Sequence, residues 1–303
     1  MRVGSLFSGY GGLDIAVGGD VVWYSEIEPA ACKVLAAHHP GVPNLGDIKK
    51  IDWTTVAPID VLTGGYPCQP FSAAGLRKGK EDERHLWPYV KDAISALRPR
   101  FAVLENVRGH LSLGLADVIG ELASVGYDAR WGLIRASDAR APHGRARVFI
   151  VAYPESDERD GRPPRYDFRD VRKERKDKGA SRRVNSNAAD SDLPVSKTSN
   201  DGRPWPRDPR RREPLERTGT NWGQYSAAVR RWEPVLGRSA PAPTIRRRDR
   251  ERLNPLFVEW MMGLPEGHVT GHGLSVSQEL KMLGNGVVPQ QARLALELLG
   301  FPS

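Results

Sequence analysis

The chain has 303 residues, of which 27% are charged and 39% hydrophobic, and its formal net charge is +8 at pH 7. This length accommodates one large α/β domain, with or without a smaller one, and the positive charge favours a polyanionic partner. Two cysteines, Cys32 and Cys68, are too few for a disulfide framework, and no apolar run reaches the roughly 18 residues needed to cross a membrane. Because residues 1–4 lead straight into a predicted strand, we expect no signal peptide, no membrane partner and a cytoplasmic location.

Short apolar runs alternate with helical periodicity over residues 1–152. After a first strand that ends near Phe7, four more buried strands are predicted at Val21-Val22-Trp23-Tyr24, Asp60-Val61-Leu62-Thr63, Phe101-Ala102-Val103-Leu104 and Val148-Phe149-Ile150-Val151. Two helices between them are indicated by the spacing of Leu86, Val90, Ile94 and Leu97, and of Leu115, Val118, Ile119, Leu122 and Val125. This alternation predicts an α/β fold with a doubly wound, mostly parallel sheet, covered on both faces, which binds ligands at the carboxyl ends of its strands.

The composition changes near residue 153. Residues 153–252 carry 26 Lys and Arg against 17 Asp and Glu, whereas the rest of the chain carries 19 against 20. Residues 155–217 of this basic insert are poor in aliphatic side chains and fit a flexible linker as well as a binding segment. Trp222, Tyr225 and Trp232 indicate a small folded module, and apolar helices return after Leu253. We therefore predict a near-neutral α/β unit, interrupted by a smaller basic domain over residues 153–252.

Cys68 lies in an unusual loop. It follows the predicted strand at Asp60 and the pair Gly64-Gly65, and it stands between two prolines in Pro67-Cys68-Gln69-Pro70-Phe71-Ser72. The prolines restrict the backbone, and the glycines permit close approach of a ligand or another segment. Such a loop is suited to presenting a nucleophile, although a small buried cysteine in a turn would also fit this segment taken alone.

The glycine-rich segment Phe7-Ser8-Gly9-Tyr10-Gly11-Gly12-Leu13-Asp14 follows the first strand. Glycines between a strand and a helix suit close approach of a nucleoside-containing cofactor, but Asp14 stands where the G-x-G-x-x-G fingerprint has its third glycine. Glu26 follows the second strand, where a carboxylate can accept from ribose hydroxyls or can simply face solvent. Together these features favour a cofactor with a ribose and no pyrophosphate.

Charged side chains occur at two further strand ends. Glu105-Asn106-Val107 follows the strand at Phe101, and Arg145-Ala146-Arg147 immediately precedes the strand at Val148. The two arginines therefore enter the sheet from its other direction or from a neighbouring loop. Each group taken alone would also fit an ordinary ion pair at a strand end.

Taken in order, and together with Gly284-Asn285-Gly286-Val287-Val288-Pro289, these blocks closely resemble the DNA (cytosine-5) methyltransferase family. They span residues 3–290 with a gap across the basic insert, and the Cys68 block is highly specific. Two positions depart from the family pattern: His143 stands where a glutamine is frequent, and Ala146 where an acidic residue is frequent.

The resemblance implies that the α/β unit is a catalytic domain that binds S-adenosylmethionine, formed by residues 1–152 with a returning segment, 253–303. Residues 153–252 would then be a target recognition domain that binds duplex DNA. The implied cofactor pocket consists of Phe7, Gly9, Gly11, Glu26, Asp47, Pro67, Leu86 and Asn285, and no metal site is implied. Cys68 would attack C6 of a cytosine, and Glu105 would contact N3 and the exocyclic amine. Arg145 and Arg147 would stabilise the base and position the nucleophile.

The implied function is sequence-specific transfer of a methyl group to C5 of a cytosine flipped out of the duplex. Cytosine C5 is a poor nucleophile until a covalent bond at C6 makes the ring enamine-like, so the reaction needs a thiolate. We expect a monomer of prokaryotic or phage origin, with a cognate restriction endonuclease as a candidate partner. The alternatives are the tRNA-modifying branch of the family, a non-catalytic DNA-binding relative, and a nucleotide-dependent oxidoreductase, which the incomplete glycine fingerprint disfavours.

Overall fold

The computed structural model describes residues 1–67, 86–155, 220–247 and 250–302, so the predicted nucleophile Cys68 and residues 156–219 lie outside the described residues. A six-stranded sheet has the order β2-β1-β3-β4-β6-β5. Its strands are β1 (Arg2–Leu6), β2 (Asp20–Ser25), β3 (Val61–Gly64), β4 (Phe101–Val107), β5 (Tyr127–Arg135) and β6 (Ala146–Pro154). The predicted strands are confirmed, and β5 is an additional one.

The direction of β6 decides where the two arginines lie. Strands β1 to β4 pair in parallel, whereas β6 is antiparallel to both β4 and β5. Arg147, at the start of β6, consequently pairs with Val107, at the carboxyl end of β4. Arg145 and Arg147 therefore enter the sheet from the opposite direction, which is one of the two alternatives that the sequence left open.

Helices cover both faces of the sheet. On one face α3 (Trp87–Leu97) and α4 (Leu115–Ser124) pack against alternate strand residues such as Leu62 and Leu104. On the other face α1 (Gly12–Val17) and α8 (Pro289–Leu298) pack against Val61, Val103 and Phe149. Because neighbouring strand residues point to opposite faces, β3 and β4 have to be apolar at almost every position, as a doubly covered sheet requires.

A third core joins the last part of the chain to the glycine-rich loop. It contains α2 (Pro29–His38), α5 (Ser226–Leu236), α6 (Pro255–Met261) and α7 (Val276–Asn285). At its centre the buried indole N–H of Trp232 donates to the carbonyl of Trp260 at 3.0 Å. The predicted folded module around Trp232 thus contains a helix, α5, that packs against the part of the chain after residue 253. The domain division at residues 152 and 252 stays a prediction.

A short hairpin precedes α6. Strands β7 (Thr244–Arg247) and β8 (Arg250–Leu253) are antiparallel, with Arg246 opposite Glu251 and Ile245 opposite Arg252. Since alternate residues share a face, Arg250 and Arg252 lie on the same face of the hairpin, and both are exposed. Among the described residues, none of the helices combines the length and apolar character that a bilayer crossing demands.

Candidate active site

A cavity of about 230 Å³ opens at the carboxyl ends of β1, β2, β3 and β4. Its wall is formed by the segments that follow these four strands, together with α7 and the loop after it. Five of the predicted site residues line it: Phe7, Gly9, Glu26, Glu105 and Asn285. The structure therefore brings together residues that are up to 278 positions apart in the sequence, at the sheet edge where ligands of α/β proteins bind.

The loop after β1 has the backbone that its glycines predict. Gly9 and Gly11 have positive φ angles of 56° and 77°, and Gly11 precedes α1. Phe7 also has a positive φ, 52°, which is uncommon for a bulky residue. Strained backbone of this kind persists where the surrounding structure enforces it, often in ligand sites. Here it accompanies a Phe7 that lines the cavity.

A loop close to the end of the chain closes over this glycine-rich segment. The hydroxyl of the buried Tyr10 donates to the carbonyl of Val287 at 2.7 Å. A Cβ at Gly286 would overlap the Tyr10 ring, and a Cβ at Gly12 would overlap the Val287 carbonyl. The close packing of these two loops therefore requires glycine at positions 12 and 286, independently of the G-x-G-x-x-G fingerprint.

Arg145 fixes the same closing loop from the other side. Its Nη1 and Nη2 donate to the carbonyls of Gly284 and Gly286 at 2.7 and 2.9 Å. Asn285, between these two carbonyls, is thereby held in the cavity wall. Burial, and then the neighbouring charge of Arg147, lower the pKa of Arg145 from its usual value. In this structure Arg145 organises the wall of the cavity.

Glu26 is held in place by backbone donors. Its Oε2 accepts from the N–H of Gly9 at 2.9 Å, and its Oε1 accepts from the N–H groups of Ile27 and Glu28 at 2.8 and 2.9 Å. A carboxylate has about four lone-pair sites, so at least one remains for a ligand hydroxyl. This geometry agrees with the predicted contact to a ribose, although the contact itself stays a prediction.

Four predicted cofactor residues do not line the described part of the cavity. Gly11 supports the turn before α1, and Asp47 caps a short 3-10 helix by accepting from the N–H of Lys49 at 3.1 Å. Leu86 immediately precedes α3 and packs against the first core, and Pro67 is exposed at the end of a described segment. Their predicted cofactor contacts remain predictions.

Glu105 is a buried acid with a strongly perturbed pKa. It is only 7% exposed, and its Oε1 lies 2.8 Å from Nε of Arg147, in an ion pair that lacks the alignment of a hydrogen bond. Burial raises the pKa of Glu105 to about 7, while the charges of Arg147 and Arg145 act in the opposite direction. A Cβ at Gly65 would lie 3.3 Å from Oε2, a tight contact that glycine avoids. Glu105 can thus hold or release a proton near neutral pH.

The chain that leads to Cys68 is anchored as far as Tyr66. The carbonyl of Tyr66 accepts from Nδ2 of Asn106 at 3.2 Å, and its hydroxyl is hydrogen-bonded to Nε2 of His110 at 2.8 Å. The Tyr66 ring packs against Trp87 with centroids 5.3 Å apart. Two residues before Cys68, the backbone is therefore tied directly to the strand that carries Glu105. The position of Cys68 itself stays a prediction.

A family model for C-5 cytosine-specific DNA methylases matches residues 1–297. The chain belongs to this family. It is 36% identical over 168 residues to the orphan methyltransferase M.SPRI of Bacillus phage SPR, which covers 51% of this chain and 38% of the phage protein. It is 37% identical over 132 residues to the type II methyltransferase M.NgoMIV of Neisseria gonorrhoeae, covering 42% of each chain. These matches span less than half the length of either relative.

The fold of this methylase-family chain is also that of a solved methyltransferase. It superposes on the crystal structure of S. pombe Dnmt2 methyltransferase with a TM-score of 0.60 at 17% identity, covering 99% of this chain and all of the other. Identity this low shows the shared fold alone. The predicted family and the predicted fold class are both confirmed.

Methyltransferases of this family generally use S-adenosylmethionine, and the described cavity fits such a ligand. It combines an apolar side formed by Leu6, Phe7 and Met282 with the anchored carboxylate of Glu26, as an adenosyl group with a ribose requires. Gly12 and Gly286 also line the cavity, and their lack of a side chain is what lets Tyr10 and Val287 pack against them.

Three charged residues in the cavity wall were not predicted: Asp14, Glu28 and Lys281. Glu28 and Lys281 form an ion pair at 3.2 Å although they are 253 positions apart, and no local sequence signal could have joined them. Asp14 did carry a signal, because it interrupts the glycine fingerprint. His143, which departs from the family pattern, is hydrogen-bonded through Nε2 to the carbonyl of Met261 at 3.1 Å and thus connects to α6.

Proposed function

We propose that this protein is a DNA cytosine-5 methyltransferase. The observation that carries the proposal is the buried Glu105–Arg147 pair at the edge of the cavity, beside the anchored backbone that leads to Cys68. A carboxyl group that is protonated near neutral pH is the partner that N3 of cytosine needs, because it can donate to an unprotonated ring nitrogen. A carboxylate with an ordinary pKa could not supply that proton.

S-adenosylmethionine would be held by Phe7, Gly9, Glu26 and Asn285 from the described cavity, with Gly11, Asp47, Pro67 and Leu86 as the remaining proposed contacts. It would supply the methyl group that the target carbon takes up. Glu26 would accept from the ribose through the lone pair that its three backbone donors leave open.

The protein side of the reaction needs a nucleophile and a proton donor on the same base. The thiolate of Cys68 would form a bond to C6, and the electron pair of the C5–C6 double bond would then become available at C5. Glu105, hydrogen-bonded at N3, would stabilise the charge that this addition places on the ring, while Arg147 holds its carboxyl group in position. Once C5 has taken up the methyl group and S-adenosylhomocysteine has left, loss of the C5 proton to water and departure of the Cys68 thiolate would restore the C5–C6 double bond.

Duplex DNA is the proposed substrate because the positive charge is concentrated in one part of the chain. Residues 153–252 have 26 basic and 17 acidic residues, and the described hairpin β7–β8 exposes Arg250 and Arg252 on the same face. Phosphate contacts from such a segment would offset the few kcal/mol that flipping a base out of the stack costs. A cognate restriction endonuclease, a monomeric state and a cytoplasmic location stay predictions from the sequence.

Incubation with labelled S-adenosylmethionine tests this function directly. Duplex DNA and tRNA are offered separately, and bisulfite sequencing of the DNA product locates the modified base. We expect label in DNA, at C5 of cytosine within one short sequence. Label in tRNA alone would transfer the proposal to the RNA-modifying branch, and label in neither substrate would refute catalysis.

A further inference from the structure

Four carboxylates line the described cavity, and three of them are already compensated. Glu105 is paired with Arg147 at 2.8 Å, and Glu28 with Lys281 at 3.2 Å. Glu26 accepts three backbone N–H groups. The fourth, Asp14, forms no ion pair with any cationic side chain among the described residues. Its environment therefore differs from that of the others.

Asp14 is held by two neutral hydroxyl groups. Ser5 Oγ donates to its Oδ2 at 2.7 Å, and Thr63 Oγ1 donates to its Oδ1. Ser5 on β1 and Thr63 on β3 are opposite each other in the sheet, so both hydroxyls meet the same carboxylate. These two bonds use about half of its lone-pair sites. The rest of the carboxylate belongs to the cavity wall.

This arrangement is unfavourable for a carboxylate without a cation. Asp14 is 7% exposed, and burial raises its pKa, whereas the hydrogen bonds from Thr63 and Ser5 and, as the smallest effect, the charge of His39 lower it. Burial also lowers the pKa of His39, which disfavours the charged imidazolium that could compensate Asp14. Hydroxyl donors compensate a buried charge only in part, because they bring no positive charge with them. A positively charged group placed in the cavity beside Asp14 would complete the pair.

We propose that Asp14 is a specificity-determining residue that binds the cationic part of the cofactor, an ammonium or a sulfonium group. The inference rests on the proposed function, since S-adenosylmethionine carries both groups. S-adenosylhomocysteine, the demethylated product, keeps the ammonium group and lacks the sulfonium charge. Comparing the affinities for these two ligands therefore shows which of the two positive groups Asp14 binds.

Isothermal titration calorimetry of Asp14→Asn tests this role without requiring catalysis. Asparagine has the same shape and keeps a carbonyl acceptor, so we expect the variant to fold and to lose about tenfold to a hundredfold in affinity for S-adenosylmethionine, as charged hydrogen bonds predict. An equal loss for S-adenosylhomocysteine would assign Asp14 to the ammonium group, and a loss confined to S-adenosylmethionine would assign it to the sulfonium group. Affinities within twofold of the unmodified protein for both ligands would overturn the proposal.

The matched control is Asp117→Asn. Asp117 is also an aspartate in the first turn of a helix, α4, but it is exposed and lies outside the cavity wall. We expect both affinities to stay unchanged in this variant. Loss of affinity in both variants alike would attribute the effect to net charge and contradict the proposal.

A measurement on the unmodified protein covers the case in which Asp14→Asn fails to fold. S-adenosylhomocysteine without its α-amino group carries no positive charge, and we expect it to bind at least about tenfold more weakly than S-adenosylmethionine. Equal affinity would overturn the role of Asp14. If the unmodified protein bound neither S-adenosylmethionine nor S-adenosylhomocysteine, the proposed function would fail as well, whereas normal binding with an unaffected variant would refute this inference alone.

Discussion

Two opposing effects act on the pKa of Glu105, and their balance sets the pH below which this residue holds a proton. Burial favours the neutral carboxyl group, whereas the charges of Arg147 and Arg145 favour the carboxylate, and the resulting pKa is about 7. The ion pair with Arg147 therefore limits how far burial can raise this pKa. The two residues form one functional unit, in which the arginine tunes the acid.

Arg147→Gln should shift the pH profile of the proposed reaction upwards. If Glu105 acts in its protonated form, single-turnover methyl transfer falls as the pH rises through about 7. Removing the Arg147 charge raises the pKa of Glu105 further, so this limb should move to higher pH, with a lower maximal rate because the carboxyl group loses its positioning partner. The profile is measured from pH 5.5 to 9 with saturating DNA and cofactor.

The control for that experiment is Arg100→Gln. Arg100 immediately precedes β4, at the end of the strand opposite to Glu105. Its loss changes the net charge by the same amount and should leave the limb in place. A limb that moved to lower pH in Arg147→Gln would contradict the assignment of this limb to Glu105.

The two cysteines provide a matched pair of variants. Cys68→Ser should lower turnover by at least about three orders of magnitude, because an alcohol is a far weaker nucleophile than a thiolate, while cofactor binding persists. Cys32 donates to the carbonyl of Glu26 at 3.4 Å and accepts from Nδ2 of Asn44 at 3.3 Å, and a serine can replace both contacts. Cys32→Ser should therefore retain activity. Near-native turnover of Cys68→Ser would remove Cys68 from the role of nucleophile.

At the scale of elements, the loop between α7 and α8 is the part that completes the cavity. It is held by Arg145 and by the Tyr10 hydroxyl, and Gly286 lies against the Tyr10 ring. Helix α6 also supports Tyr10, through the segment that follows the helix. Its fully buried Glu259 accepts from the N–H groups of Gly267, Val269 and Thr270, which places His268 where its Nε2 can bond to the carbonyl of Tyr10 at 2.7 Å. Tyr10 is thus bonded by two separate segments, the loop after α7 through Val287 and the segment after α6 through His268.

Gly286→Ala should destabilise the protein and weaken cofactor binding together. Its φ of −76° is open to any residue, so the cost is steric: the new methyl group would overlap Tyr10, and overpacking of this kind costs about 1–3 kcal/mol. Urea denaturation and calorimetry of S-adenosylmethionine binding measure the two effects.

Gly284→Ala is the neighbouring control. A Cβ there meets nothing within 4 Å, and its position in α7 favours alanine over glycine. We expect unchanged or slightly higher stability and unchanged binding. If the two alanine variants behaved alike, close packing against Tyr10 would not be what requires glycine at position 286.

At the scale of the whole molecule, charge and chemistry are separated along the chain. Residues 153–252 carry the entire positive excess, and the α/β unit around them carries 19 basic against 20 acidic residues. Affinity for DNA should therefore come mainly from the insert. Near its end the insert contains the basic run Arg246-Arg247-Arg248, of which Arg248 lies outside the described residues. The structure adds Arg250 and Arg252 on the returning strand β8.

Replacing Arg250 and Arg252 together by glutamine should weaken DNA binding and reduce its dependence on salt. If each contacts one phosphate, the slope of log K against log salt should fall by about two in magnitude. Fluorescence anisotropy with a labelled duplex between 50 and 300 mM NaCl measures this slope. Arg100→Gln changes a residue just before β4, outside the insert, and should leave the slope unchanged. An unaltered slope in the double variant would place the DNA on another surface.

The sequence predicted most of the sheet because β2, β3, β4 and β6 are short apolar runs, which a doubly covered sheet requires. Strand β5 was missed because it is an edge strand with alternating exposure, including an exposed Trp131, and its charged residues hide the pattern. Sequence motifs singled out Glu26 and Glu105, and both residues line the cavity. The Glu28–Lys281 pair and the hydroxyl partners of Asp14 depend on tertiary packing. No periodicity or motif in the sequence indicates such contacts.

The bond between Tyr10 and Val287 joins residues 277 positions apart, and it has a consequence for how the protein is made. The ribosome adds roughly 5–20 residues per second, so the segment that closes over the glycine-rich loop is synthesised some tens of seconds after the loop itself. During that interval a nascent chain already has β1 to β4 but lacks the last wall of the cavity. Ligand binding, and with it the proposed modification of DNA, should thus begin only after Val287 has been translated.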